Sequence, residues 1–492
     1  MATDAARESR LSTPAAEPSR KAASAPPEHP LRWPSGENVH VVHVAGELAP
    51  FARSGGLGEA VNSLARFQAA SGLPTSIVMP LYDTARNNAP SIEPVGPAFR
   101  VQVGPRHETV RLWRLVSAPD DTLAHVKVYF VESEEYFARS YIYGPPGSDY
   151  LDNARRYACF SMAAIASLSR IAGKNPVLLH VHDWHTALAP VFLRTTLAAT
   201  EVARRTKVVL TVHNAGYQGH FPPATMADLG LRASLFNWRQ LEWYGHVNVL
   251  KGGLVFADAV TTVSPTHAHE LRTAAGGFGL DGVFVQLRDR FVGITNGIDQ
   301  QVWDPSADPI LASTYSAKNL QGKLDCREAL QLETGLRPTD EMPIVAMSAR
   351  MVSQKGLDLI LGDPSYFALD AQFLFLGAGE PRYEQALTAI AERAEPDLGA
   401  AQVHRGARAQ AARRRRYLLD AVIVRAVRSH PDARAAVRDH SCRETRRRLG
   451  RHDRGRRDRL FVRRLHAGRF HARRDARDRP VRGSGRLAGH GA

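Results

Sequence analysis

The chain has 492 residues, 44% of them hydrophobic, enough for two domains of ordinary size, and a formal net charge of +15. That charge is not evenly spread: residues 401–492 hold 28 Arg, no Lys and 8 Asp or Glu, a balance of +20, so residues 1–400 carry −5 and are not a generally basic, nucleic-acid-coating chain. Three widely spaced cysteines, Cys159, Cys326 and Cys442, exclude a disulfide framework and a CxxC metal motif, and favour a reducing compartment.

Residues 1–37 are rich in Ala, Ser, Pro and Arg, include Asp4, Glu8 and Glu17, and lack the apolar segment of a secretory signal. They are expected to be a solvated, disordered tail. Without an apolar stretch long enough to span a bilayer, no membrane partner and a cytoplasmic location are expected. From Val39, "VHVVHVAGEL" predicts a strand, "ARSGGLGEA" a glycine-rich turn and "VNSLARFQAASG" a helix. Similar apolar runs follow at "TSIVMPLY", "VKVYFVE", "PVLLHVHD", "KVVLTVHNAG", "AVTTVSP" and "FVGITNG". Continuous apolar strands alternating with helices suit a parallel sheet covered on both faces, so residues 38–297 are expected to form a doubly wound, Rossmann-like α/β domain. A polar linker is expected over 298–325. The rhythm then restarts with "MPIVAMSAR", "GLDLILG" and "QFLFLGAGEP", predicting a second doubly wound domain over 326–400 that is truncated.

In open α/β sheets, ligands sit beyond the carboxyl ends of the strands, which directs attention to polar groups there. In "ARSGGLGEA", Ser54, Gly55 and Gly56 give an anion access to backbone N–H groups at a helix start, and Arg53 adds charge; a plain tight turn is the alternative. "HVHDWHTALAP" clusters His180, His182, Asp183, Trp184 and His185 at a strand end. Three histidines invite a zinc reading, but alternation of side chains across a strand, and the lack of a further Glu or His at helical spacing, argue against a metal. A carboxylate beside imidazole and aromatic groups suits sugar hydroxyls; a packing corner is the alternative. "TVHNAGYQGHF" repeats the theme with His213 and Asn214, and "GITNGID" with Asn296 and Asp299. In the second domain, Arg350 and Lys355 of "SARMVSQKGLDLI" are cations suited to a diphosphate, or else solvated surface charges, and "FLGAGEP" adds Glu380.

In this order, from about Val39 to Glu395, these blocks resemble the bacterial-type glycogen synthases and plant starch synthases. The most specific are "SGGLGEA", "HVHDWHTAL", "TVHNAGYQGHF", "LKGGLVFADAVTTVSPTHAHEL", "GFGLDGV", "NGIDQQVWDP" and "SARMVSQKGLDLI". The resemblance implies two Rossmann-like domains facing a cleft (the GT-B arrangement) and retaining transfer of glucose from ADP-glucose to an α-1,4-glucan, with no metal and no cofactor. It places Asp183 and His213 at sugar-binding and catalytic positions, Asn296 at the cleft, and Arg350 and Lys355 on the departing ADP. Arg53 and Ser54 replace the family's lysine and threonine ahead of Gly55 and Gly56, and Glu59 replaces an aspartate. The family's E-P-C-G-L-T-Q string, whose glutamate holds the donor glucose, has no counterpart here.

The arginine-rich segment begins in the middle of the donor domain. A one-base slip of the reading frame near Gly399 in a GC-rich gene would turn CGN arginine codons into codons for Gly, Ala, Val or Asp, and the shifted run permits the missing string. Residues 401–492 are therefore expected to be an aberrant, poorly ordered tail, and the chain to be impaired or inactive. A noncatalytic glucan-binding remnant is the alternative. A nucleic-acid-binding arm is a third reading; the abrupt onset and the lack of interleaved aromatic residues speak against it, and no nucleic acid is expected.

Overall fold

The computed structural model of the protein describes residues 33–34, 36–89, 91–116, 125–145, 148–300, 303–393 and 402–404. Most of the expected N-terminal tail and, apart from 402–404, the expected aberrant tail lie outside the described residues. The protein divides into two compact units. One is built on residues up to Asp304 with Arg350–Val352 and Gly379–Tyr383; the other on Pro305–Ala349, Ser353–Ala378 and residues from Glu384. The expected linker over 298–325 overlaps the start of a helix, Gln321–Thr334, which a left-handed Gly335 (φ 70°) terminates.

In the first unit the strands are β1 (His40–Val44), β2 (Thr75–Pro80), β3 (Ile92–Pro94), β4 (Phe99–Val103), β5 (Arg106–Leu115), β6 (Lys127–Glu132), β7 (Val177–His182) and β8 (Thr206–Val212). They continue with β9 (His220–Phe221), β10 (Glu242–Trp243), β11 (His246–Asn248), β12 (Ala259–Thr262) and β13 (Phe291–Gly293). The main sheet runs β13-β12-β8-β7-β1-β2-β6-β5-β3, with β4 also paired to β5; β9, β10 and β11 form a small antiparallel sheet. From β13 to β6 every pairing is parallel. The central strands β1 and β2 are buried at every residue, as a sheet covered on both faces demands.

The antiparallel extension β3–β5 departs from the expected uniform parallel sheet. The sequence "RHETVRLWRL" of β5 alternates exposed and buried residues, the period-two signature of a strand with one wet face. Helix α1 (Leu57–Ala70) seats Leu57, Val61 and Ala65 at helical spacing against the sheet. The helix Asn153–Ala172 is buried along most of its length. The helix Val249–Phe256 comes close to Ala187 through Gly253, where an added Cβ would lie 2.6 Å from the Ala187 Cβ. The order of strands reverses at β1, whose neighbours β2 and β7 lead outward in opposite directions. The crevice beyond the ends of β1 and β7 is thus the switch point at which such sheets bind ligands.

In the second unit, β14 (Ile344–Ser348), β15 (Gln372–Leu376) and β16 (Gln402–His404) form a parallel sheet packed through Leu330, Leu336, Ile344, Leu374 and Leu376. Strand β16 lies just past the boundary expected at residue 400, so pairing continues into the first residues of the arginine-rich segment. The architecture is mixed α/β with a large, mainly parallel sheet. No helix among the described residues is long and apolar enough to cross a membrane.

Candidate active site

Beyond β1 the chain turns through Glu47, a carboxylate only 3% exposed. It accepts hydrogen bonds from the Ser54 amide (2.6 Å), the Ser54 hydroxyl (2.7 Å), the Gly55 amide (3.2 Å) and the Tyr143 hydroxyl (2.5 Å). Two of the amides that sequence reading offered to a bound anion are therefore held by an anion of the protein itself, and the loop is shaped by it. Arg53 forms an ion pair with Glu59 on the partly exposed rim of α1. The Tyr143 ring stacks on His185, with centroids 4.4 Å apart, joining the loop after β1 to the turn after β7.

That turn holds the most unusual backbone of the site. Asp183 has φ 56° and ψ −176°, a conformation essentially reserved for glycine and costing about 1–3 kcal/mol elsewhere. Its neighbours impose it. The Asp183 amide donates to the Thr211 carbonyl (3.0 Å), and the Asp183 carbonyl accepts from the Thr186 amide (3.3 Å) and hydroxyl (3.3 Å). Its Oδ1 accepts from the amides of His213 (2.7 Å) and Asn214 (3.3 Å) at the end of β8. Burial pushes the carboxyl up to about 7, with the two amides opposing the rise and the nearby Glu47 charge adding to it.

Around it the imidazoles are neutral at physiological pH. Burial lowers His213 to about 4 and His185 to about 3, and holds His180 and His182 well below their usual range. A run of hydrogen bonds links His213 Nε2 to His182 Nδ1 (3.1 Å), His182 Nε2 to His43 Nδ1 (3.1 Å), and His43 Nε2 to the Gln68 Oε1 of α1 (2.7 Å). His180 bonds the Thr211 hydroxyl (2.6 Å), which meets Thr261 (2.6 Å).

Alternation along β7 does not separate His180 from His182. They lie two residues apart on one face of β7, their rings 4.4 Å apart, and His43, in register with His180 on β1, brings the three ligand atoms within 4.8 Å of one another. Both nitrogens of His43 and both of His182 are accounted for by the hydrogen bonds above.

Of the other residues singled out, Asn296 is exposed just past β13, and its segment is tied to α1 by an ion pair between Arg66 and Asp299 (2.6 Å). Arg350 follows β14, and Lys355 ends the exposed turn Ser353–Lys355. Sequence reasoning missed Glu47, Tyr143, His43 and Gln68. A signal existed for one of them: Glu47 is the lone charge in the apolar stretch "VAGELAP". Chemically, the switch point offers donors and acceptors, a carboxyl poised near neutrality and uncharged imidazoles, which suits a polyhydroxyl ligand.

Residues 40–286 match the family model of the starch synthase catalytic domain. Glycogen synthase from Anaeromyxobacter sp. (strain Fw109-5) is 41% identical over 369 residues, 74% of each chain, and that from Syntrophotalea carbinolica 38% identical over 345 residues, 70% of this chain and 69% of the other. Among solved structures, the catalytic domain of starch synthase IV from Arabidopsis thaliana, bound to ADP and acarbose, superposes with a TM-score of 0.69 at 29% identity, covering 78% of this chain and 76% of its own. With matches of this extent and a switch-point site built from the matched residues, the chain belongs to the glycogen and starch synthase family of glycosyltransferases.

Proposed function

We propose that this site is of the kind that transfers glucose from ADP-glucose to the non-reducing end of an α-1,4-glucan with retention of configuration, in the cytoplasm and without a metal. The observation that carries the reading is Asp183: a strained, buried carboxyl of raised proton affinity that fixes the His213 backbone at the switch point. Strain of this kind persists only where surrounding contacts impose it, and it concentrates at sites of chemistry. Glucosyl transfer separates a cationic sugar from an anionic diphosphate. On this reading His213 holds a glucose hydroxyl with its ring and turns its backbone carbonyl toward the developing positive charge. Arg350 and Lys355 stabilise the leaving ADP, and Asn296 faces the sugar. Arg53, Ser54, Gly55, Gly56 and Glu59 border the substrate, with Glu47 shaping the loop they form. Residues 38–297 act as the acceptor domain, and residues 326–400 as the first part of the donor domain. The reading is supported by the naming of the bacterial relatives and by the ADP and acarbose bound to the plant relative.

One observation favours a second reading, a glucan-binding remnant: no E-P-C-G-L-T-Q string occurs to hold the donor glucose. The two readings separate in one assay. Label transfer from ADP-glucose to glycogen by the full chain, measured beside the Anaeromyxobacter enzyme, is expected to be at least about 100-fold slower, the order expected when a group binding the transition state is lost. Rates equal to that enzyme's would refute impairment. A folded chain that neither transfers glucose nor retains glycogen would refute both readings.

A further inference from the structure

The hydrogen-bonded histidines run from the candidate site to a residue with no place in the reaction. Gln68 sits on α1, partly buried, while His43 and His182 are almost fully buried within the sheet. Burying polar rings in an otherwise apolar sheet is costly unless every group is paired, and these rings are paired in sequence. A neutral imidazole has one donor and one acceptor nitrogen, so pairing at one nitrogen dictates the role of the other.

We infer that Gln68 sets the tautomer of His213 through His43 and His182. The Gln68 carbonyl oxygen accepts from His43 Nε2–H, which leaves His43 Nδ1 as an acceptor. His182 Nε2–H must then donate to His43 Nδ1, and His182 Nδ1 becomes an acceptor in turn. His213 Nε2–H donates to that nitrogen, so its Nδ1 carries the lone pair available to a ligand hydroxyl. Burial keeps the members of the run uncharged, so no ring escapes the rule by taking a second proton. Gln68 is a positioning residue: it acts on a ligand only through two intervening rings. The role given to the His213 ring toward a sugar rests on the functional reading above; the tautomer itself does not.

The test is nitrogen-15 NMR of the full chain labelled at histidine, whose ring nitrogen shifts distinguish the Nε2–H from the Nδ1–H form. His213 is expected in the Nε2–H form in the parent, and an Nδ1–H form there would overturn the inference without any variant. Gln68→Glu, an acceptor only, is expected to leave the His213 spectrum unchanged. Gln68→Lys, a donor only, is expected to convert His213 to the Nδ1–H form; an unchanged His213 spectrum in a folded Gln68→Lys protein also overturns it. Conversion of the tautomer with unaltered maltohexaose binding would uphold the inference while removing the His213 ring from the functional reading.

Discussion

Replacing Asp183 by Asn should change stability by an amount that depends on pH. The Asp183 carboxyl is pushed up from the usual 3.8 to about 7, chiefly by burial. Because its folded value lies above its unfolded one, the folded state binds the extra proton between the two. The sign is therefore opposite to that of a salt-bridged Asp: the contribution of Asp183 to stability falls as pH rises from 3.8 toward about 7, then levels. The Asp183→Asn side chain would keep a carbonyl oxygen for the His213 and Asn214 amides but would not titrate. Each pH unit inside the window is worth about 1.4 kcal/mol, so on moving from about pH 5.5 to about pH 8.5 the variant should gain about 2 kcal/mol relative to the parent. Comparing the two proteins at each pH cancels the other titrating groups. Urea unfolding followed by tryptophan fluorescence, with Trp184 adjacent to the substitution, reads the difference. A parent-to-variant gap that does not change with pH would mean that Asp183 ionises like an exposed carboxyl, and the account of its burial would fail.

On the acid side the histidines should dominate. Burial lowers His40, His43 and His213 to about 4 and His185 to about 3, so the unfolded state takes up protons first as pH falls below 6.5. These groups outnumber Asp183, so net stability should drop from pH 6.5 downward; a melting temperature constant between about pH 7 and pH 5 would contradict this. Arg156 is fully buried and, among the described residues, donates to neutral acceptors: the Tyr136 carbonyl (2.8 Å), the Ile142 carbonyl (3.3 and 3.2 Å) and the Asn153 side chain (2.6 Å). Arg156→Met would strand these acceptors and should cost about 3 kcal/mol in urea unfolding; a loss under about 1 kcal/mol would show that water or rearrangement replaces the guanidinium. Gly219 has φ 66°, and an added Cβ would lie 2.4 Å from the Trp184 ring. Gly219→Ala should therefore displace Trp184 and lower stability by about 1–3 kcal/mol, visible as a shift in tryptophan emission, and an unshifted spectrum would count against the close approach.

The parallel part of the fold was legible because its strands are continuous apolar runs: "VHVVHVAGEL", "PVLLHVHD" and "KVVLTVHNAG" fall on β1, β7 and β8. The edge strands β3 to β5 escaped because their alternating pattern encodes a half-wet antiparallel surface, a signal that a search for unbroken apolar runs passes over. Asp183 and His213 could be picked out, since each ends a strand in a polar cluster. Their mutual contact needs the pairing of β7 with β8, which no local pattern states. Glu47 and Tyr143 lie 96 residues apart in sequence and meet only in the folded loop. His43 lies inside the largely apolar run that predicts β1, and the run from His213 to Gln68 appears only once β1 lies beside β7.

In the proposed function, the ends of β1, β7 and β8 hold a glucosyl unit against His213. Titration of the full chain with maltohexaose at neutral pH, beside a folded His213→Ala variant, tests it most directly. Saturable binding by the parent, weakened about tenfold in the variant for the loss of one hydrogen bond, is the predicted result. Equal affinity in the two proteins, or no binding by the folded parent, would contradict it.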